Sequence, residues 1–244
     1  MNEKEPAILI KDAVLDFPFH NAGSTTFINQ LLSLFNRENK NWFRALNGIN
    51  IRIEKGEVVG LMGPNGSGKS TLIRLIAGIY NPDGGIVQCN GRIAILVSYG
   101  LGFSPNLPGR DNIYLSGGFL GLKYSELKEL EEEIIEFSGL GEFIDAPIRT
   151  YSSGMRARLG FSIACHSNPD ILLLDEVMSV GDNEFKRKSK NKVLEMVEGD
   201  TTVVIVSHNV KTLTELCDRL VYIEKGRVIV DNDDDLVKKL YHME

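Results

Sequence analysis

An α/β fold with a mostly parallel sheet, an N-terminal antiparallel β-subdomain and an inserted helical subdomain is the expectation for this chain of 244 residues. Three observations lead there. Residues Gly63-Pro64-Asn65-Gly66-Ser67-Gly68-Lys69-Ser70 fit the pattern G-x-x-x-x-G-K-[ST], between an apolar run from Val58 to Met62 and a helix-forming stretch from Thr71 to Ala77 that stops at Gly78. Ile171-Leu172-Leu173-Leu174 and Val203-Val204-Ile205-Val206 are continuous apolar runs of the kind that form parallel strands buried on both faces. Between these landmarks, Tyr124 to Phe137 is dense in Glu, Lys, Leu and Ile at helical spacing, with no β-rich run. The core is therefore expected to be a P-loop NTPase core, with the helical region running from about residue 100 to 167.

Taken in order, Ile8 to Phe17 and Asn47 to Glu54 favour strands. The second alternates apolar Ile49, Ile51 and Ile53 with polar Asn50, Arg52 and Glu54, which predicts a half-exposed sheet. Thr25 to Arg37 places Phe27, Ile28, Leu31, Leu32, Leu34 and Phe35 along one stripe, so an amphipathic helix is expected there. Packing on its own domain and lying against a membrane or partner are both open to it; the scarcity of Lys and Arg on the polar face favours the first. Gly84-Gly85 and Asn90-Gly91 mark turns leading into short strands at Ile86 to Cys89 and Arg92 to Val97. Met155 to His166 is expected to be helical. Leu220 to Glu224 and Arg227 to Val230 flank Lys225-Gly226 as a hairpin, followed by an acidic cluster, Asp231 to Asp235, and a short helix.

Composition narrows the function. With 43% hydrophobic and 25% charged residues the chain is ordinary for a globular protein, and a formal charge of −6 argues against a nucleic-acid partner. Cys89, Cys165 and Cys217 are far apart and in no C-x-x-C spacing, so neither zinc nor a disulfide framework is indicated. No apolar stretch approaches the roughly 18 residues of a membrane-spanning helix, and the N-terminal MNEKEP lacks the layout of a signal peptide. No internal repeat or low-complexity linker is visible.

The chemistry gathers around the glycine loop. At the junction of strand and helix, backbone N–H groups curl around phosphate oxygens and the helix N-terminus adds its partial positive charge. Lys69 then reaches the β- and γ-phosphates and Ser70 is placed to ligate Mg²⁺. Asp175-Glu176 follows the apolar run from Ile171, so both carboxylates emerge at the strand's C-terminal end, the edge where open α/β sheets bind ligands. One acid there can hold Mg²⁺ and the other can orient or deprotonate a water. His208 stands in the same way after Val203 to Ser207; a lone histidine is often structural, but at this sheet edge it could touch a γ-phosphate or that water, and that second role is favoured. In Tyr151-Ser152-Ser153-Gly154-Met155, small polar residues open a helix and make a second N-terminus suited to an anion. An ordinary helix cap is one explanation; the other is service to the ATP of a second copy across a head-to-tail two-fold.

In this order the segments resemble the ATP-binding subunit of an ABC transporter along essentially the whole chain. Gly63 to Thr71 matches that family's Walker A, Ser152, Ser153, Gly154 and Met155 its signature, Leu172 to Glu176 its Walker B, Ser179-Val180-Gly181-Asp182 its D-loop and His208 its switch histidine. The resemblance implies ATP and Mg²⁺ as ligands, Ser70 and Asp175 as metal ligands, Glu176 as general base, and two ATPs held between two subunits. Phe17 matches the aromatic that stacks on adenine, with Trp42 or Phe43 as substitutes and a plain core role as the alternative for Phe17.

Two departures point to a branch. Tyr151-Ser152-Ser153-Gly154-Met155 stands where the family usually has LSGGQ, and Val97-Ser98-Tyr99-Gly100-Leu101-Gly102-Phe103 stands where a Q-loop glutamine is usual. Both, with Gly109 to Leu115, are similar to the polysaccharide-exporting branch, which includes O-antigen and teichoic-acid exporters. That branch implies a homodimer beneath integral membrane transporter subunits, peripheral on the cytoplasmic face of the membrane, powering export of a lipid-linked polysaccharide. The helix near residues 25–37 also resembles one that lies near the membrane in those exporters. The chain is expected to be a single ATPase domain, without the C-terminal carbohydrate-binding domain that some members carry. Drug or lipid export is the alternative within the family. A soluble ABC-type ATPase would be expected to show a long coiled coil, zinc-ligand cysteines or a second ATPase unit, and a regulatory GTPase an N-K-x-D segment; none occurs in the sequence.

Overall fold

The computed structural model describes residues 5–18, 42–96, 102–175, 182–207 and 210–231. The amphipathic helix expected at residues 25–37 and the acidic cluster with its short helix beyond Asp231 lie outside the described residues.

Three antiparallel strands, β1 (Ile8–Pro18), β2 (Trp42–Ile53) and β4 (Gly84–Cys89), form a sheet in the order β2-β1-β4. The alternation read from β2 holds: Ile49, Ile51 and Ile53 are buried while Asn50 and Arg52 are exposed. The strand starts at Trp42, five residues earlier than expected, because Trp42, Phe43 and Arg44 pair with Pro18, Phe17 and Asp16, and Arg44 forms a two-point ion pair with Asp16 at 2.9 Å. Neither periodicity nor burial marks that extension.

The main sheet has the order β5-β6-β7-β3-β8-β9. Here β3 is Val58–Met62, β5 Ile93–Leu96, β6 Ile171–Asp175, β7 Thr202–Val206, β8 Arg219–Glu224 and β9 Arg227–Asp231. All neighbouring pairs are parallel except the β8–β9 hairpin. The apolar runs are buried on both faces, as parallel sheets require. Ile171, Leu173, Val204 and Val206 point into one core with the antiparallel sheet and helix α1 (Lys69–Ile76). Leu172, Leu174, Val203 and Ile205 point into a second core with three helices: α4 (Ser153–His166), α5 (Asn183–Val197) and α6 (Val210–Leu216). Each such fully buried Leu, Ile or Val contributes about 1.5–3 kcal/mol.

A third core belongs to the helical region, built from α2 (Gly109–Phe119), α3 (Tyr124–Ser138) and the single 3₁₀ turns Gly141–Asp145 and Ile148–Thr150. Helix α4 serves two cores at once: Ala157, Phe161, Ala164 and Cys165 face the main sheet, and Leu159 and Ile163 face the helical region. Its start therefore has a fixed position relative to both. The three cysteines are free, and burial pushes the Cys89 thiol up to about 11 and that of Cys165 still higher, which favours the protonated thiol in both. Among the described residues, no helix is long and apolar enough to cross a membrane.

Candidate active site

Strand register decides where the site lies. Leu61 of β3 pairs with Val206 of β7, and Val206 in turn pairs with Asp175 of β6, so these three strands end abreast. The glycine loop after β3 and the carboxylate at the end of β6 therefore share one sheet edge, as expected for ligand sites in open α/β folds.

The loop can be made only with glycine at its key points. A Cβ on Gly63, at φ +142°, would stand 1.9 Å from the Ile223 carbonyl oxygen, so the chain passes too close to β8 for any side chain. Gly68, at φ +108°, is the residue before α1 and provides no side-chain cap. The first N–H groups of the helix are thus left for a ligand rather than for the protein's own oxygen. The β8–β9 turn closes over the loop, with Gly226 N–H donating to the Ser67 carbonyl at 2.9 Å. Lys69 is 6% exposed, and its Nζ donates to the carbonyls of Gly63 at 2.7 Å and Pro64 at 2.8 Å. A cation is thereby held inside the loop.

These residues line a cleft of about 320 Å³, formed by Asn65, Gly66, Ser67, Gly68, Lys69, Ser70 and Thr71, with Asp175, Val206, Ala45 and Phe43. Most of the expected nucleotide residues meet there, and the two expected metal ligands, Ser70 and Asp175, lie in the same cleft. Phe17 is not among the lining residues. It is half-buried against the first core and packs edge-on to Tyr80 at 5.3 Å. Its cross-strand partner Phe43, half-exposed, lines the cleft instead. A cavity of similar size, about 340 Å³, lies around His166, Glu133, Lys188 and Glu195. It has no glycine loop or helix N-terminus, so size alone does not identify the site.

The serine turn is built differently. Ser152 caps α4 with its own hydroxyl, which accepts from Met155 N–H at 3.1 Å, and Ser152 and Ser153 are exposed. None of Ser152, Ser153, Gly154 and Met155 lines the phosphate cleft of the same chain. Asp182 likewise caps α5, accepting from Phe185 N–H at 2.9 Å, a bond that holds its carboxyl below the usual range, and Arg158 of α4 lies 3.6 Å from it. Glu176 and His208, expected to be catalytic, lie outside the described residues, as do residues 97–101 and Ser179 to Gly181.

A family model described as ABC transporter matches residues 46–179, the stretch from β2 through the glycine loop and serine turn to just beyond Asp175. The chain belongs to the ABC transporter family. Among its relatives, the O-antigen export system ATP-binding protein RfbB of Klebsiella pneumoniae is 41% identical to this ABC transporter chain over 97% of the chain and 98% of that protein. The Myxococcus xanthus protein of the same name is 44% identical over 93% of the chain. The teichoic acids export ATP-binding protein TagH of Lactococcus lactis is 46% identical over 79% of it. The chain spans 54% of the length of the Myxococcus relative and 41% of the Lactococcus one. In three dimensions it resembles an ATP-binding cassette solved as a dimer in a post-hydrolysis state with ADP and phosphate. The TM-score is 0.72 at 22% identity, over 92% of this chain and 97% of that one. That likeness establishes the fold of an ABC cassette.

Proposed function

We propose that the chain is the ATP-binding and ATP-hydrolysing subunit that powers export of a lipid-linked polysaccharide, working as a homodimer with integral membrane subunits at the cytoplasmic face of the membrane. One observation carries the ATPase part: a buried lysine, an uncapped helix N-terminus, Ser70 and Asp175 converge on one cleft at the C-terminal edge of the parallel sheet. The polysaccharide part is supported by relatives named for O-antigen and teichoic-acid export.

In this reading the N–H groups of residues 65–71 cradle the phosphates, and the Lys69 ammonium exchanges a carbonyl for a phosphate oxygen. Ser70 Oγ and the Asp175 carboxylate would hold Mg²⁺. Mg²⁺ characteristically takes one or two protein ligands and completes its shell with phosphate and water. Bound there, Mg²⁺ would neutralise charge on the β- and γ-phosphates. Glu176 takes the proton of the attacking water as the bond from the γ-phosphorus to its bridging oxygen breaks, and His208 steadies the γ-phosphate. Phe43 is the aromatic that the cleft offers to the base. Ser152, Ser153, Gly154, Met155 and Asp182 complete the site of a second copy. Because the serine turn stands outside its own chain's cleft with hydroxyls exposed, it is free to do so.

Replacing Glu176 with Gln tests the assignment. Phosphate release should fall by about 10²–10⁴ while ATP binding persists. Turnover at the wild-type rate would refute it.

A further inference from the structure

Asn112 makes no contact with the phosphate cleft, yet its side chain is fully buried and spends every polar group on one loop. Its Oδ1 accepts from Ser104 N–H at 2.7 Å, and its Nδ2 donates to the carbonyls of Ser104, Leu107 and Pro108 at 3.2, 3.1 and 2.8 Å. The amide thus pins the segment 104–108 to the first turn of α2.

That segment is in turn bonded to the stretch leading into the serine turn. Ile148 N–H donates to the Leu107 carbonyl at 3.0 Å, Arg149 N–H to that of Pro105 at 2.8 Å and Gly109 N–H to that of Ala146 at 3.2 Å. Tyr151, 4% exposed, packs so closely on Gly109 that a Cβ there would come within 2.2 Å of its hydroxyl, and that hydroxyl donates to the Phe143 carbonyl at 2.5 Å. Ser152 follows directly. Hydrogen bonds therefore tie the Asn112 amide through 104–108 to 146–149, and from there the chain itself leads through buried Tyr151 into the cap of α4.

We propose that Asn112 is a positioning residue for the serine turn: by fixing the 104–108 loop it sets where Ser152 and its neighbours meet the second copy's nucleotide. The inference rests on the two-copy reading of the site given above. Asn112→Ala in the full chain should leave ATP affinity within about twofold of wild type, while the hydrolysis rate constant falls about tenfold to a hundredfold, as expected when a reacting geometry is misplaced. Arg149→Pro, at an exposed position, removes the N–H that bonds Pro105 and should give the same split. Both losses should combine with that of Ser152→Ala to less than their product, because all three act through one turn.

Equal losses of affinity and rate, a full product in the double variants, or unchanged hydrolysis in both Asn112→Ala and Arg149→Pro would overturn the proposal. Two failures are distinguishable. If Ser152→Ala itself hydrolyses ATP normally, the two-copy reading falls and takes this inference with it. If Ser152→Ala is impaired and the Asn112 and Arg149 variants are not, only the positioning role falls.

Discussion

The glycine loop and the serine turn are both small-residue segments that open a helix, and they differ in what they do with its free N–H groups. At α1 the preceding residue is Gly68, no side chain caps the helix, and a buried lysine and a carboxylate share the cleft in front of it. At α4 the chain supplies its own cap from Ser152, the serines face solvent, and neither a lysine nor an acid of the phosphate cleft stands beside them. The first segment has the elements of a phosphate site within one chain. In the function proposed above, the second completes a site only when another copy is brought to it.

The largest effect that would break this contrast is on nucleotide affinity. Lys69→Ala should weaken ATP binding about ten- to a hundredfold, the value of a charge-assisted hydrogen bond or two, measured by equilibrium titration. Ser152→Ala should leave that affinity unchanged and slow hydrolysis about tenfold, with a helix-cap loss of about 1 kcal/mol in urea unfolding. Equal affinity losses in the two variants would erase the distinction. Phe43→Ala should reduce ATP affinity about fivefold, as loss of a stacking surface of about 1 kcal/mol does, whereas Phe17→Ala should lower stability instead, since Phe17 packs on Tyr80 and the first core. The reverse outcome would return the base to Phe17.

The smallest effect separates the regions by pH. Burial pushes the pKa of His166 below its ordinary value, opposed by the Ser162 carbonyl at 2.7 Å and by Glu133. The unfolded chain therefore takes up that proton first. Stability from this group is present above about pH 6.5 and declines as pH falls from there toward the lower folded value. His166→Asn, which can keep a donor toward Ser162, should flatten that decline in unfolding measurements at about pH 7.5 and 5.5, while the phosphate cleft, which shares no lining residue with the cavity around His166, should bind ATP as before.

How much of this was legible in the sequence depends on whether a residue's role is local. Gly63 to Ser70 could be read because the loop's chemistry is written in consecutive residues, and Ile171 to Leu174 because burial on both faces leaves no polar position. Helix α5 has no clear sequence pattern: its buried stripe is Phe185, Ser189 and Val193 in a run rich in Lys and Asn, so a serine stands where helical periodicity needs an apolar residue. Helix α2 was visible only as part of a helical region, because Gly117 and Gly118 weaken its pattern; Gly117 is there because Leu127 packs where a Cβ would be. Phe43 and Asn112 depend on pairing and on contacts made across turns, and no local pattern announces either. From sequence, Ser152 fits either a cap or a contact for another copy, and the structure gives it the cap's hydrogen bond together with the exposure that the second role needs.

Light scattering on the Glu176→Gln chain with Mg·ATP, alone and with the proposed membrane subunits, tests the pairing of a whole site with a half site most directly. Particles of two chains are expected, reverting to single chains when the serine turn is altered at Ser152 and Gly154 together. Single chains throughout, with ATP bound at full occupancy, would contradict it.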